Sequence, residues 1–275
     1  MKLIAPSVEI IKETDPLKRI ELCGRVCYKS EDRITADSAL SFVNGIIKRG
    51  HTSVLEHAWI EVTDNVTWDR TLFDALYGAI PYGLFDRLDD GRKGMTTCTI
   101  NARDFIALGG TIDELAKAKV ADNVMTVRFI CDRGISHELV RHRVFSFSQE
   151  STRYVLYLGG MQFIIPYPFK WVDGKGWRNM LKRWAWKGTS WLLSKVYNLL
   201  VWLGCSAQEA RSVLPNSLKT EVIMTGTYKQ WGDMLKLRLD KEAHPQMRYL
   251  CQLLVDHKDF PKTKINYSND MEKII

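Results

Sequence analysis

The sequence predicts a folded chain that mixes strands with helices. Two observations lead there. Short runs rich in β-branched residues stand at 3–11, 59–63 and 124–130, and between them apolar residues recur every three or four positions, as on one face of a helix.

In chain order, 3–11 reads as a strand closed by Lys12-Glu13-Thr14-Asp15 and Pro16. Residues 17–31 and 34–48 read as helices, the second with Ala39-Leu40, Val43 and Ile46-Ile47 on one face and Gly50 as its stop. Trp59–Thr63 reads as a strand. Residues 64–95, with Tyr77, Ile80, Pro81, Tyr82 and Phe85, suggest a long, lid-like insertion. Helical periodicity returns at 100–109 and 112–118, and a strand follows at 124–130. Ser136 is the expected cap of a helix that runs on into an arginine cluster. Extended structure is expected at 161–170 and two helices between 175 and 213, with Leu192, Val196, Leu199 and Leu203 as an apolar stripe. Thr227 and Gln230 form a capping-box pair, and a last helix is expected over 243–256.

With 275 residues, 45% of them apolar and 26% charged, the chain can bury a sizeable core as one large domain or two small ones. A formal charge of +7 favours an anionic partner, whether nucleic acid, phosphorylated metabolite or dinucleotide. The first residues do not form a signal peptide, and Trp191–Leu203 falls short of a membrane span. Six widely spaced cysteines do not suggest a disulfide scaffold, so a reduced, cytoplasmic location and no membrane partner are expected.

The densest chemistry lies between Arg141 and Tyr154. Arginines 141, 143 and 153 are planar donor forks suited to phosphate or carboxylate, and Ser146, Ser148 and Ser151 can add hydroxyl contacts. Val144, Phe145 and Phe147 between them imply a semi-buried site. His142 among cations is expected to stay neutral. Arg238 falls on the inward face set by Trp231, Met234 and Leu235, where it must reach solvent or meet an anion or a carbonyl, a packed internal ion pair being the plain reading. His51, Glu56 and His57 lack metal-ligand spacing, and no metal is expected. No GxGxxG fingerprint, P-loop or GxSxG elbow is present. Six of the nine tryptophans fall between 171 and 202 among lysines and arginines. That region reads as helix-pair core with cations outside, as a stacking surface for nucleic acid, or as a partner or membrane-surface face.

Arg141-His142-Arg143, seven residues, Ser151 and then Arg153-Tyr154 resemble the signature of the flavin-dependent thymidylate synthases. Arg25-Val26-Cys27-Tyr28, the His51–His57 run, Ala210–Pro215 and Leu235–Arg238 fit the same family in the same order, with 64–95 and 170–200 less typical. The resemblance implies a single catalytic domain over 1–275, α+β, with an antiparallel sheet and packed helices. It implies reductive methylation of dUMP to dTMP, with FAD as cofactor and NADPH and methylenetetrahydrofolate as co-substrates. It also implies a homotetramer with sites at subunit interfaces and no obligatory nucleic acid.

By the same resemblance, Glu138, Leu139, Val140, Arg141, Gln149, Glu150, Ser151, Thr152, Arg153, Arg211 and Arg238 would hold dUMP. Ser53, Arg141, His142, Arg143, Gln149, Thr227, Tyr228, Lys229 and Asp233 would hold FAD. Arg238 would be the catalytic arginine beside the uracil. The chain departs from the family's usual residues at Glu138 (glutamine), Gln149 (glutamate), Ser148 (asparagine), Thr227-Tyr228-Lys229 (Asn-Ala-Arg) and Asp233 (asparagine). The changes at 227, 229 and 233 bear on flavin binding, and a related enzyme acting on another pyrimidine nucleotide is the alternative.

Overall fold

A computed structural model describes residues 1–63, 87–88, 97–158 and 160–267. The expected insertion at 64–95 lies outside the described residues, save the backbone of 87–88. The chain divides into two compact units, one of Met1–Ile11, Val26–Lys29 and Met125–Ile275, the other of Lys12–Arg25 and Ser30–Val124.

The larger unit is built on a four-stranded sheet in the order Ser7–Ile11, Val124–Asp132, Lys219–Thr227, Ser146–Gln149. Both outer pairs are antiparallel, with Ser7 opposite Ile130 and Ser146 opposite Thr225. All nine residues of Lys219–Thr227 are buried. The helices Tyr228–Leu239 and Pro245–Val255 lay Trp231, Met234, Leu250 and Leu254 on this sheet against Phe129, Phe145 and Met224. The Trp231 indole N–H, fully buried, donates to the Met125 carbonyl at 3.0 Å, so the polar end of a large core residue is satisfied.

The expected strand over 3–11 is two strands. Pro6, with no N–H to donate, marks the break. Lys2–Ile4 pairs in parallel with Gln162–Ile164, an exception to the antiparallel pattern, while Ser7–Ile11 joins the main sheet.

In the smaller unit Trp59–Thr63, Thr97–Asn101 and Arg87–Leu88 form an antiparallel sheet with the 97–101 strand central. Ile20, Val43, Leu55, Ile60, Ile100, Phe105 and Leu115 make its core. Two short helices carry the caps that local sequence dictates: Asn101 accepts from the Asp104 N–H at 3.0 Å, and Thr111 and Glu114 close a capping box.

Helix boundaries differ from expectation in three places. The first helix, Pro16–Val26, stops five residues early because the chain turns at Lys29 with φ of 51°. The second begins at Ser38 rather than 34. Asp132, not Ser136, caps Arg133–Leu139, accepting from the Ile135 N–H at 2.8 Å. Ser136 sits inside the helix and donates to the Arg133 carbonyl. Residues 175–213 hold the two expected helices, very unequal in length, the 26-residue Trp177–Trp202 and the four-residue Ala207–Ala210. Among the described residues no helix is long and apolar enough to cross a membrane.

Gly232 lies inside Tyr228–Leu239, where a Cβ would come 2.4 Å from the Asn266 carbonyl oxygen. Gly232→Ala gains about 1 kcal/mol of helix propensity. It must also push backbone against backbone, which costs about 1–3 kcal/mol. Chemical denaturation is expected to show a net loss of stability despite the better helix former.

Candidate active site

The helix capped by Asp132 ends at Leu139, one turn before the arginines. Residues 140–145 then form tight turns, in which the His142 N–H bonds to Leu139 O at 3.1 Å and the Phe145 N–H to His142 O at 3.0 Å. Phe145 pins this segment to the core, edge-on to Trp231 with ring centroids 4.9 Å apart. Gly226 makes room for it, since a Cβ there would lie 2.5 Å from the Phe145 ring. From the start of the next helix Gln230 donates to Val144 O at 3.1 Å, tying helix and turn together.

Arg238 reaches this turn from the far end of the same helix. Its Nε donates to His142 Nε2 at 2.9 Å, Nη1 to Glu138 Oε2 at 3.1 Å and Nη2 to Glu138 O at 3.5 Å. The inward arginine thus meets an acid, a carbonyl and an imidazole. Three of its five N–H groups are engaged, leaving two for a ligand. Because His142 Nε2 accepts, the ring proton resides on Nδ1. Burial, helped by the Arg238 charge, holds the imidazole neutral with a pKa of about 4.

The strand Ser146–Gln149 sends alternate side chains to opposite faces of the sheet. Gln149 donates to Ser136 Oγ at 2.9 Å and Thr220 Oγ1 at 3.2 Å. Glu150, next along, is buried and accepts from Lys219 Nζ and the Tyr157 hydroxyl, both at 2.8 Å. Burial and the adjacent Glu150 keep the Tyr157 phenol above its ordinary pKa. Lys219 also contacts Glu221, which receives Lys29 and Arg128 as well. Burial alone would raise the Glu221 carboxyl, but these hydrogen bonds and charges outweigh it and hold the pKa at about 2. A cavity of about 180 Å³ opens beside Lys29, Glu150, Tyr157 and Lys219.

The remaining expected site residues fall as follows. Leu139 is in the core, so only its backbone can face a ligand, while Val140 is exposed. Arg141 and Arg143 are exposed, with no ion-pair partner among the described residues. Ser151 donates its N–H to Cys27 O at 3.1 Å and accepts at Oγ from the Arg153 N–H at 3.3 Å. Thr152 is buried; Arg153 is exposed and lies over Tyr154. Arg211 is exposed at the start of the Arg211–Val213 turn and makes no hydrogen bond with Glu138, His142 or Arg238. Thr227 caps its own helix, accepting from the Gln230 N–H at 3.3 Å, and Tyr228 is half-buried. Lys229 and Asp233 form an exposed pair at 3.3 Å. Ser53 is exposed in the Thr52–His57 turn of the smaller unit.

Sequence reasoning missed Gln230's link to Val144, the pairing of Glu138 with Arg238, and the Lys219–Glu221 network. The last had a signal: two charges two apart face one side of a strand. Among the described residues no cluster of three or more His, Cys, Asp or Glu could hold a metal ion.

The family model described as thymidylate synthase complementing protein matches residues 9–67 and 119–262. The chain belongs to this family. A flavin-dependent thymidylate synthase of Geobacter sulfurreducens is 24% identical over 244 residues, 86% of this chain and 75% of that protein. One of Corynebacterium efficiens is 27% identical over 197 residues, 67% of this chain and 75% of the relative. One of Mycobacterium tuberculosis is 32% identical over 129 residues, 43% of this chain and 50% of its own length. The family's α+β architecture, antiparallel sheets with packed helices, is the one described above.

The depressed His142 pKa has a signed consequence. A histidine whose folded pKa falls from about 6.5 to about 4 stabilises the fold fully above the unfolded value. That contribution is lost as pH drops from 6.5 through 4. Titration of the His142 ring by NMR should give a midpoint near 4, and Arg238→Ala should move it upward by removing the adjacent cation.

Proposed function

We propose that this protein converts dUMP to dTMP with FAD as its bound cofactor. In the balanced reaction the methylene carbon of methylenetetrahydrofolate forms the new bond at C5 of the uracil as C5 loses its proton. Both carbon–nitrogen bonds to the folate break, and the C5 proton and one from solvent end on the two folate nitrogens. Two electrons and a proton derived from NADPH complete the methyl group, leaving tetrahydrofolate and NADP+. The observation that carries the reading is Arg238, fixed by His142 and Glu138 at the Arg141–Arg143 turn with donors to spare.

The donor set suits the flavin dinucleotide. Arg141 and Arg143 are exposed guanidiniums able to grip a diphosphate bidentately, and neutral His142 can pack against or bond to a ring. When bound, FAD supplies the hydride. The chain's own residues do the rest. Arg238 stabilises negative charge developing on the base, and it is oriented beforehand, so little reorganisation is needed during reaction. Ser151 and Arg153 offer a hydroxyl and a guanidinium to the nucleotide phosphate, with Arg211 from a neighbouring subunit of a homotetramer. Thr227, Tyr228, Lys229 and Asp233 stand at the start of the Tyr228–Leu239 helix, whose free N–H groups favour an anionic cofactor group.

A second reading has one specific support. The Glu138 carboxylate beside Arg238 accepts hydrogen bonds but cannot donate them. A pyrimidine edge bearing an amino group, as in a cytosine nucleotide, would suit it better than the carbonyl of uracil. Mass analysis of products from dUMP and dCMP separates the two. Methylated dUMP alone carries the first reading and modified dCMP the second; flavin-loaded protein that alters neither overturns both.

Arg238→Ala should lower turnover by about 10²–10³-fold. Circular dichroism and bound flavin absorbance should persist. Arg238→Lys keeps the charge but not the fork, and should recover the fold fully and turnover only in part. Full turnover in either variant would reduce Arg238 to a structural ion pair.

A further inference from the structure

We propose that the outward face of the Trp177–Trp202 helix docks on an anionic lipid bilayer surface. The helix is about 39 Å long at 1.5 Å per residue and buries only Ser190, Ser194 and Tyr197. On another face residues 177, 181, 184, 188, 191, 195, 199 and 202 line up at spacings of four and three. Trp177, Leu181, Trp184, Trp191, Leu199 and Trp202 on that stripe are each 52–81% exposed. So long an apolar stripe facing solvent marks an interaction surface rather than scattered exposed residues.

Charge selects the partner. The helix has five basic residues, Arg178, Lys182, Arg183, Lys187 and Lys195, and no acidic one. Arg183 is turned inward, where its Nη1 donates to the carbonyls of Trp171, Val172 and Gly174. The other four are exposed, with no ion-pair partner among the described residues. Arg178 lies over the Trp177 ring and Lys195 over the Trp191 ring. Arg178, Lys182 and Lys187 flank the stripe, and Lys195 within it has a stem long enough to carry its charge to the headgroups. Tryptophans and leucines on one face with cations beside them are what a helix lying in the headgroup layer needs. A second copy would bring two cationic helices together. Nucleic acid would reward the cations and rings but gain nothing from Leu181, Leu192 and Leu199, and the surface is the convex side of one helix rather than a groove. The proposal goes beyond the activity above and revises the expectation of no membrane partner, which rested on the lack of a spanning segment.

The full chain should sediment with vesicles of mixed phosphatidylglycerol and phosphatidylcholine but far less with pure phosphatidylcholine, and salt should release it. Tryptophan emission should shift to the blue on binding. Each lysine neutralised among Lys182→Gln, Lys187→Gln and Lys195→Gln should weaken partitioning about fivefold, with unchanged circular dichroism. Trp184→Ser with Trp191→Ser should abolish binding and the blue shift. Three results overturn the proposal: no sedimentation with either vesicle, equal binding to both, or tight single-stranded RNA binding without vesicle binding. A change of oligomeric state in the tryptophan variant, in a protein that ignores vesicles, also overturns it and assigns the face to a second copy.

Discussion

Lys219 and Glu221 lie within a strand buried at all nine positions, and a charge so placed is tolerable only when paired. Lys219 bridges Glu150 and Glu221, while Glu221 also receives Arg128 from the neighbouring strand and Lys29 from the segment after the first helix. Four separate stretches of chain are thereby fixed to one another. Removing a single member would leave its partner charged and buried, a loss of about 3–5 kcal/mol. Replacing the whole network by apolar residues need not destabilise the protein. Its value lies in register: a one-residue slip of the 146–149 strand would exchange Gln149 and Glu150 between the faces of the sheet.

That register positions the candidate site. Glu150 is anchored behind the sheet by Lys219 and Tyr157, so Gln149 must face the other way, toward Ser136 and Thr220. Phe145 under Gly226 and Gln230 on Val144 fix the preceding turn from two more directions. The arginine turn is therefore a loop whose ends and middle are each tied to regular structure. Such support is what a site needs if its donors are to be in place before a ligand arrives.

Much of the fold was legible because it is locally encoded. Trp59–Thr63, the Thr227 capping box and the Pro245–Val255 helix rest on short-range patterns of caps and apolar spacing. Lys219–Thr227 was not legible, since a strand buried on both faces lacks the alternation that reveals strands, and its two charges disguise it further. Ser146–Gln149 is only four residues and half serine. The inward position of Arg238 was readable from its spacing to Trp231 and Met234. Its partner was not, because Glu138 stands 100 residues earlier and only the folded chain brings them together.

The Glu138–Arg238 pair constrains how the site can work. At a distance the two charges cancel, and His142, held neutral, adds no positive charge of its own. Any stabilisation of an anion by Arg238 itself must therefore come at close range, from the two guanidinium N–H groups that the pair leaves available. Close-range donors act through direction as well as charge, and their effect falls away when a ligand is displaced by a fraction of a bond length. For Arg238, rigid placement thus matters more than its formal charge. The three bonds to His142 and Glu138 provide that placement, and both residues belong to the segment that the sheet register holds.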